Sequence, residues 1–342
     1  MTPSRRDLLE FAGAMGVATV SAVGTAGVLA SDVTAQEDGT DDTDDVPEYS
    51  RWLTLEDDAL EFVSVDWTSV GDDLRAELEA GQPDEEVPPE FEADPMVAPV
   101  SEALLSAYFY VGLDLARYRI GRILEEEAFD STVEELLLTD RAFVATGDID
   151  PDEVDARVTA EAEADFLRQL ERTDEIGEYV VYTPVDPGDD AAIAVGADAI
   201  LASEARPAID DPADALETAI GAAAGEIDRA TDDSETVAWL LENAGDGDVA
   251  VGRYGDPLDD SGDGLADVEF EYDELEGAAG IVSSFTVEDE ETATGDFAAV
   301  IDDPDEAALE ATLGASGENR SLEVDGDRVT ATATWREELV IN

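Results

Sequence analysis

The chain has 342 residues, in which 89 Asp and Glu oppose 17 basic residues for a formal net charge of -72. Hydrophobic residues make up 44% of it, which excludes the low-hydrophobicity composition of a disordered acidic chain. The sequence has no His, Cys or Lys, and these absences exclude thiol nucleophiles, imidazole bases, Schiff-base chemistry and thiolate or imidazole metal ligands.

The net charge predicts a protein adapted to concentrated salt. Repulsion among so many carboxylates opposes a compact state in ordinary buffer. At molar ionic strength the Debye length falls to about 3 Å, which screens exposed carboxylates from one another. Every basic residue is Arg, and this favours the same interpretation because a guanidinium pairs with carboxylates without exposing the long apolar stem of Lys. Charge of this sign argues against a nucleic-acid partner.

The first residues have the pattern of an export signal. Residues 4–9 read SRRDLL, and an uncharged run rich in Ala, Gly, Val and Thr covers residues 11–31. This start resembles the twin-arginine signal family, although Glu10 stands where that family often has a basic residue. The resemblance implies that Arg5 and Arg6 direct export across the cytoplasmic membrane.

Small-residue patterns end at Ala30 and at Ala35, so cleavage after either residue would remove the signal, which we assign to residues 1–35. The alternative is an uncleaved segment that spans the bilayer and provides the protein's membrane contact. Residues 36–45 read QEDGTDDTDD and contain no apolar side chain that could be buried. We therefore predict an acidic disordered linker over 36–46.

The ordered part begins with a predicted strand and a predicted long helix. Apolar residues alternate from Leu60 to Trp67, which is typical of a strand. A broad apolar face from Val100 to Glu127 predicts a core helix whose apolar run is too short to cross a membrane. A contact with lipid or with a partner is the alternative use of that face.

Two helix starts of the same design predict an internal repeat. At Ile149–Glu153 and at Ile301–Glu306, an apolar strand is followed by an Asp cap, a Pro at the first helical position and Glu two residues later. Each predicted helix precedes two β-like runs, Tyr179–Val185 with Ala191–Ala202 and Leu322–Val324 with Arg328–Trp335. The alternative is that Asp-Pro is a generic helix opening.

We therefore predict an α+β fold with mainly antiparallel sheets and flanking helices, in which a β-α-β-β unit occurs twice. The repeat places one half at residues 47–205 and the other at residues 206–342. A further Asp211-Pro212 start predicts helices at the beginning of the second half.

Three Arg residues, Arg117, Arg119 and Arg122, form the densest basic cluster. Arg119 and Arg122 would share one face of the predicted helix and could hold an anion. Glu125 lies three residues after Arg122, and local ion pairing is the simpler interpretation.

One acidic loop has the spacing of a cation site. Residues 259–267 fit the pattern D-x-S-x-D-G-x-x-D, which resembles the calcium loops of dockerin-like and thrombospondin-type repeats. Alternating oxygen ligands around a Gly turn suit a hard cation. Phe270 stands where an EF-hand would need Glu, and in so acidic a chain a solvated loop is the alternative. The candidate metal ligands are Asp259, Ser261, Asp263 and Asp267.

In layout the chain resembles exported proteins of haloarchaea, a resemblance that implies a location but no activity. We expect an exported halophilic protein, extracellular or held at the cell envelope, that acts as a binding or scaffolding module for an envelope protein or polymer. The alternative is a cation-dependent hydrolase that uses only carboxylates. No catalytic residue can be assigned, and calcium is the one cofactor that the sequence suggests. An acidic pocket would favour the hydrolase, and a wide exposed β-face would favour the binding module.

Overall fold

The computed structural model describes residues 46–80, 89–125, 128–186, 190–206, 209, 211–255, 265–266, 268, 270–289 and 292–336. The predicted signal and nearly all of the predicted linker lie outside these residues. The same is true of the residues predicted for export, Arg5 and Arg6, and of those predicted for calcium, Asp259, Ser261, Asp263 and Asp267.

The described residues form one antiparallel sheet of 12 strands, flanked by helices, so the predicted α+β class with antiparallel pairing is confirmed. The strand order across the sheet is β11-β12-β10-β9-β8-β1-β2-β3-β7-β6-β5-β4. The strands are β1 (Leu60–Asp66), β2 (Thr132–Thr139), β3 (Phe143–Asp148), β4 (Leu170–Ile176), β5 (Tyr179–Pro184), β6 (Ala191–Val195), β7 (Ala199–Glu204), β8 (Val249–Tyr254), β9 (Ala278–Asp289), β10 (Thr292–Ile301), β11 (Glu318–Asp325) and β12 (Arg328–Arg336).

The α-helices of the described residues are α1 (Trp67–Ala80), α2 (Pro89–Glu92), α3 (Ala98–Phe109), α4 (Pro151–Val158), α5 (Pro212–Ala224), α6 (Ala230–Asp233), α7 (Glu235–Ala244) and α8 (Glu306–Thr312). Single 3-10 turns cover Glu48–Trp52, Leu115–Tyr118 and Asp273–Leu275, and a π-helical turn covers Tyr110–Asp114.

Helices cover the middle of the sheet on both faces. We call the side covered by α1, α3, α4 and α8 face A, and the side covered by Glu48–Trp52, α5 and α7 face B. Within β1, Phe62 packs into the core of face B, whereas Val63 and Val65 pack into the core of face A. Burial on both faces explains why β6, with the sequence AAIAV, is a continuous apolar run without polar alternation.

Two of the predicted helix starts are confirmed and one is wrong. The Asp150 side chain accepts from the backbone N–H groups at the start of α4, and Asp211 caps α5 in the same way. The third helix was predicted to begin at Pro304 behind an Asp cap. Instead Asp303 adopts a left-handed φ of 58°, which turns the chain after β10, and Asp305 caps a helix that begins at Glu306.

The predicted helix from Val100 to Glu127 is also wrong in its second half. Helix α3 ends at Phe109, and the chain passes through the π turn and a 3-10 turn before Arg119 adopts a left-handed φ of 67°. A Cβ at Gly121 would lie 2.7 Å from the Ala116 Cα, so Gly allows the chain to fold back on itself. Ile120, Ile123 and Leu124 are buried, which produced the apolar pattern without a helix.

A strand was missed and a predicted strand was split. The run Ala191–Ala202 contains the hairpin of β6 and β7, and β4 was not predicted at all. Strand β4 is an edge strand with the sequence LERTDEI and is largely exposed, so it lacks the apolar alternation on which strand prediction depends.

A buried carboxylate fastens the loop before α3 to the loop after α8. Asp94 is fully buried, and its Oδ1 accepts from the backbone N–H groups of Met96 at 3.1 Å and Gly314 at 3.0 Å. Its Oδ2 accepts from the Ser316 N–H at 3.0 Å and from the Ser316 hydroxyl at 2.6 Å. The Ser316 Oγ in turn accepts from the Trp335 indole N–H at 2.9 Å. This network joins segments that lie more than 200 residues apart in the chain.

Replacing Asp94 should strongly destabilise the folded protein. Asp94→Ala leaves three backbone N–H groups and a hydroxyl in the core without their acceptor, so we expect a loss of about 3 kcal/mol or more in the free energy of unfolding. Urea unfolding at constant multimolar NaCl measures it. The control is Asp305→Ala, which removes an exposed helix cap nearby and should cost about 1 kcal/mol. Equal losses in the two variants would contradict the proposed role of Asp94.

Candidate functional site

Three large apolar side chains are exposed on segments that neighbour one another near β4 and β5, at one edge of the sheet. Leu113 is 64% exposed, Phe166 is 67% exposed and Val185 is 48% exposed. Isolated exposed apolar residues are ordinary on soluble proteins, but groups of them mark interaction sites. We call these three residues the tip patch.

Hydrogen bonds tie together the three segments that carry the tip patch. The Arg168 N–H donates to the Arg117 carbonyl at 2.8 Å, which joins the loop of Phe166 to the helical turn that follows Leu113. The Val185 N–H donates to the Gln169 carbonyl at 2.9 Å, which joins the end of β5 to the same loop.

Arginine side chains reinforce this end of the sheet. Arg119 donates to the Arg168 carbonyl at 2.9 Å and to the Glu161 carbonyl at 2.6 Å, so its guanidinium spans the base of the Phe166 loop. Arg119 also has a left-handed backbone conformation, and such conformations in residues other than Gly concentrate at functional sites. The π turn that carries Leu113 is a second feature of this kind.

Next to the helical turn that follows Leu113, polar side chains converge on Glu204 at the end of β7. Arg117 donates to the Glu204 carboxylate at 3.2 Å and to that of Asp114 at 2.9 Å, and the Tyr118 hydroxyl donates to Glu204 at 3.3 Å. The Tyr110 hydroxyl is buried and has no hydrogen-bond partner among the described residues. Burial raises the pKa of Tyr110 far above its ordinary value, and the Glu204 charge adds to that effect.

The structure separates the three Arg residues that the sequence grouped. Arg122 pairs with Glu125, its nearer Nη2–Oε2 contact being 2.5 Å, so the prediction of local ion pairing is confirmed. Arg119 and Arg122 do not share a helix face, because the helix has ended before them. The anion-site hypothesis for this cluster therefore loses the geometry on which it depended.

The tip patch itself was missed by sequence reasoning. Leu113 falls within the predicted helix from Val100 to Glu127, whose apolar side chains are expected in the core, but it lies in the π turn and is exposed. Phe166 does have a sequence signal, since it is the one aromatic residue in the charged stretch EAEADFLR of residues 161–168. No helical or strand periodicity accounts for an aromatic side chain at that position.

A second cluster surrounds Glu135 on β2. Glu135 lies directly opposite Asp66 of β1, and the Ser64 hydroxyl donates to the Glu135 carboxylate at 3.5 Å. Burial raises the pKa of Glu135 to about 7, with Glu48 and Asp66 acting in the same direction and Arg51 opposing them.

Asp66 caps the start of α1. Its carboxylate accepts from the backbone N–H and hydroxyl groups of Thr68 and Ser69. Burial alone would raise the pKa of Asp66, but these hydrogen bonds outweigh burial and lower it. The pKa values of Asp66 and Glu135, which lie opposite each other, are therefore shifted in opposite directions.

One part of the sheet is open to solvent on face B. Strands β11 and β12 present Thr330, Thr332, Thr334 and Ser321 there, and the Thr332 and Ser321 hydroxyls lie 2.8 Å apart. At the margin of this face, Arg328 stacks on Trp239 of α7 at 4.8 Å. Outer antiparallel strands commonly face water on one side, so this hydroxyl-rich face requires no ligand to explain it.

In the part of the chain that the structure describes, no group of three or more acidic side chains is placed to hold a metal ion. Nor does any described helix have the length and apolar character needed to cross a membrane.

No protein-family model matches the chain, and no curated protein matches it. Among solved structures, the fold is similar to crystal form III of TP0453, with a TM-score of 0.45 and 8% identity over 86% of this chain and 96% of that chain. Crystal form I of TP0453 gives a TM-score of 0.41 and 8% identity over 86% and 95% of the two chains. Likeness at these values says nothing about the ligand or activity of this chain.

The raised pKa of Glu135 predicts how stability depends on pH. In the unfolded chain Glu135 ionises near its ordinary pKa of 4.5, whereas in the folded state it keeps its proton to about pH 7. The folded state therefore binds the extra proton, and this contribution to stability is lost as pH rises from about 4.5 to 7. The loss is on the order of 3 kcal/mol.

Glu135→Gln should remove this part of the pH dependence. We expect the variant to match the wild type near pH 4.5 and to exceed its stability at pH 8, because an amide needs no proton to remain neutral. Thermal melts at constant multimolar NaCl from pH 4.5 to 8 measure the difference. Glu134→Gln is the control, because Glu134 is an exposed neighbour on the same strand. Parallel pH profiles for wild type and Glu135→Gln would contradict the assignment.

Proposed function

We propose that this protein is an exported, salt-adapted binding or scaffolding module of the cell envelope, and that it docks through the tip patch. The exposed apolar side chains of Leu113, Phe166 and Val185 carry the proposal. They stand on segments fastened to one another by backbone hydrogen bonds, so a partner would meet a preformed surface.

The proposed location rests on the sequence. The twin-arginine start, the following uncharged run and the acidic linker support export, and the net charge of -72 supports a molar-salt habitat. All basic residues are Arg, and this supports the same habitat.

Export should depend on the paired Arg. Replacing Arg5 and Arg6 together by Gln removes the pair that the export receptor reads, so the protein should accumulate inside the cell as a precursor. Cell fractionation with detection of the protein in cytoplasm, envelope and medium measures this. The matched control is Arg51→Gln, which removes an Arg outside the signal and should leave export unchanged. Normal export of the doubly substituted protein would contradict the proposed route.

We also infer that the two halves are copies of one unit, and the pattern of strand pairing supports this. Helix α4 follows β3, and the last strand of its half, β7, pairs with β3. Helix α8 follows β10, and the last strand of its half, β12, pairs with β10. In each half a hairpin ends next to the strand that precedes the helix.

The tip patch is the better docking candidate of the surfaces that the structure describes. The hydroxyl-rich face of β11 and β12 is polar and can hydrogen-bond to water. Exposed Leu and Phe side chains cannot, so their burial against a partner is favourable. High concentrations of excluded salts strengthen that gain, and screening weakens the repulsion of nearby carboxylates. A protein that binds its partner in concentrated salt therefore depends more on apolar contacts than on ion pairs.

Loss of the tip patch should reduce binding to the envelope. Because Leu113 and Phe166 are largely exposed, Leu113→Ser with Phe166→Ser should leave stability nearly unchanged and lower the bound fraction about fivefold or more. Co-sedimentation of purified protein with native envelopes in multimolar NaCl measures it. The control is Ile227→Ser, which removes a side chain that is 39% exposed in another loop. Equal binding by the double variant and the control would refute the docking site.

The carboxylate hydrolase is a weaker second candidate. Glu135 with a pKa of about 7 could serve as a general acid, and Asp66 opposite it would stay ionised, as paired catalytic carboxyl groups do. However, all the bonds that lower the pKa of Asp66 come from the cap of α1, so a structural role already accounts for it. A hydrolytic activity abolished in Glu135→Gln, with folding unchanged, would favour this candidate.

A further inference from the structure

A short turn joins α7 to β8, and hydrogen bonds hold its backbone at both ends. The Gly245 carbonyl accepts from the Tyr49 hydroxyl at 2.9 Å. The Asp248 carbonyl accepts from the Asp66 N–H at 2.7 Å, and the Asp248 carboxylate accepts from the Val287 N–H at 2.6 Å. These bonds fix the position of the turn beside the ends of β1 and β9.

Ser284 of β9 lies against this turn and has an unpaired hydroxyl. The residue is 1% exposed, and its Oγ has no hydrogen-bond partner among the residues that the structure describes. A Cβ at Gly247 would lie 2.9 Å from the Ser284 Cβ and 3.1 Å from its Oγ, so the hydroxyl sits directly beneath the turn. Burial of a hydroxyl without a partner is unfavourable, so a group from outside the chain is expected to contact it.

Two carboxylates flank this hydroxyl. Asp296 of β10 lies directly opposite Ser284 in the antiparallel ladder, so their side chains are on the same face of the sheet with Cβ atoms about 5 Å apart. Asp246 precedes Gly247 in the turn. Burial raises the pKa of Asp296 above its ordinary value, and the charge of Asp246 acts in the same direction. Within the described part of the chain, no ion pair or hydrogen bond involves either carboxylate.

We propose that the Ser284 Oγ and the carboxylates of Asp246 and Asp296 bind one monovalent alkali cation, Na⁺ or K⁺. Such cations are bound by oxygen atoms that replace their hydration shell. The cation provides a partner for the buried hydroxyl and a positive charge for the two carboxylates, and it fastens the turn after α7 to β9 and β10. Asp246 is exposed, so the site is open to the salt solution on one side. This inference does not rest on the tip patch or on the proposed function.

Two other occupants fit these residues less well. A water molecule can pair with the Ser284 hydroxyl, but it leaves the repulsion between the Asp246 and Asp296 carboxylates in place. Ca²⁺ needs more oxygen ligands, and among the described residues no group of three acidic side chains is placed to hold a metal ion. Two carboxylates and a hydroxyl form a weak site, which is filled by mass action where Na⁺ or K⁺ is present at molar concentration.

Exchange of the cation at constant ionic strength tests the site. Screening depends on ionic strength and not on which monovalent cation is present, whereas tetramethylammonium is too large to enter between the side chains. We expect the melting temperature of the purified protein to fall when about 3 M NaCl is replaced by about 3 M tetramethylammonium chloride. In Asp246→Asn with Asp296→Asn, which lacks the site, this fall should be smaller by about 2 °C or more. Circular dichroism measures the melts.

The matched control is Glu217→Gln with Glu242→Gln. It also removes two carboxylates, both of them exposed on helices, so it measures how two fewer charges alter the general response to the salt. Its fall in melting temperature should equal that of the wild type. An equal fall in the control and in the double Asn variant would overturn the inference.

Ser284→Ala separates a bound ion from a water molecule and from no ligand. If nothing contacts the hydroxyl, its removal leaves the melting temperature unchanged or raises it in both salts. If water pairs with it, removal lowers the melting temperature equally in both salts. We expect a loss in NaCl that is about twofold or more larger than the loss in tetramethylammonium chloride. Either of the first two results would overturn the inference.

Melts in KCl show which of the two cations binds better, and the double Asn variant should lose any difference between NaCl and KCl. A crystal structure from the more stabilising salt then locates the ion. It should contact the Ser284 Oγ and the Asp296 carboxylate, and it is recognised by the anomalous signal of K⁺ or by the short oxygen contacts of Na⁺. A water molecule at that position, or a gain in melting temperature that needs only millimolar Ca²⁺ and is lost in the double variant, would refute the monovalent site.

Discussion

The antiparallel pairing of β1 with β8 is the contact on which the whole architecture depends. It joins the strands of residues 60–204 to those of residues 249–336, so that one sheet runs through the molecule without an internal edge. The junction is tightly packed: a Cβ at Gly252 would lie 2.5 Å from the Phe62 ring. Because helices cover both faces here, the central strands contribute to two cores at once, and loss of this pairing would expose both.

Most charges of so acidic a protein must stay away from that centre, and the sequences of the outer strands show how this is achieved. The outermost strands, β4 and β11, carry charged side chains and are largely exposed, and these charges also discourage another chain from pairing with them. The few Arg side chains are used at loop bases and helix ends. Arg229 donates to the Ala222 carbonyl in the last turn of α5, and Arg320 donates to the Glu310 carbonyl near the end of α8.

Sequence reasoning recovered what depends on local pattern. The α+β class, the helix starts at Asp150 and Asp211, and the hairpin of β11 and β12 follow from capping and turn chemistry, which act within a few residues. It failed where tertiary burial decides. Ile120, Ile123 and Leu124 are buried because the core surrounds them and not because they lie on a helix. The edge strand β4 is largely exposed and has no buried face to give it a pattern. The tip patch was missed for the first of these reasons, since Leu113 matched a helix that does not continue.

The tip patch lies mostly in a part of residues 47–205 that has no counterpart in the strand layout of residues 206–342. Between α8 and the hairpin of β11 and β12, the second half has only a short turn, residues 313–317. Between α4 and the hairpin of β6 and β7, the first half has a long loop and the additional hairpin of β4 and β5. Phe166 lies in that loop and Val185 follows β5, so two of the three residues of the tip patch lie in this segment. A site on this segment can change without disturbing the pairing of β3 with β7 or of β10 with β12, because neither pairing includes it. Under the proposed duplication, the segment proposed to bind is an addition to the repeated unit.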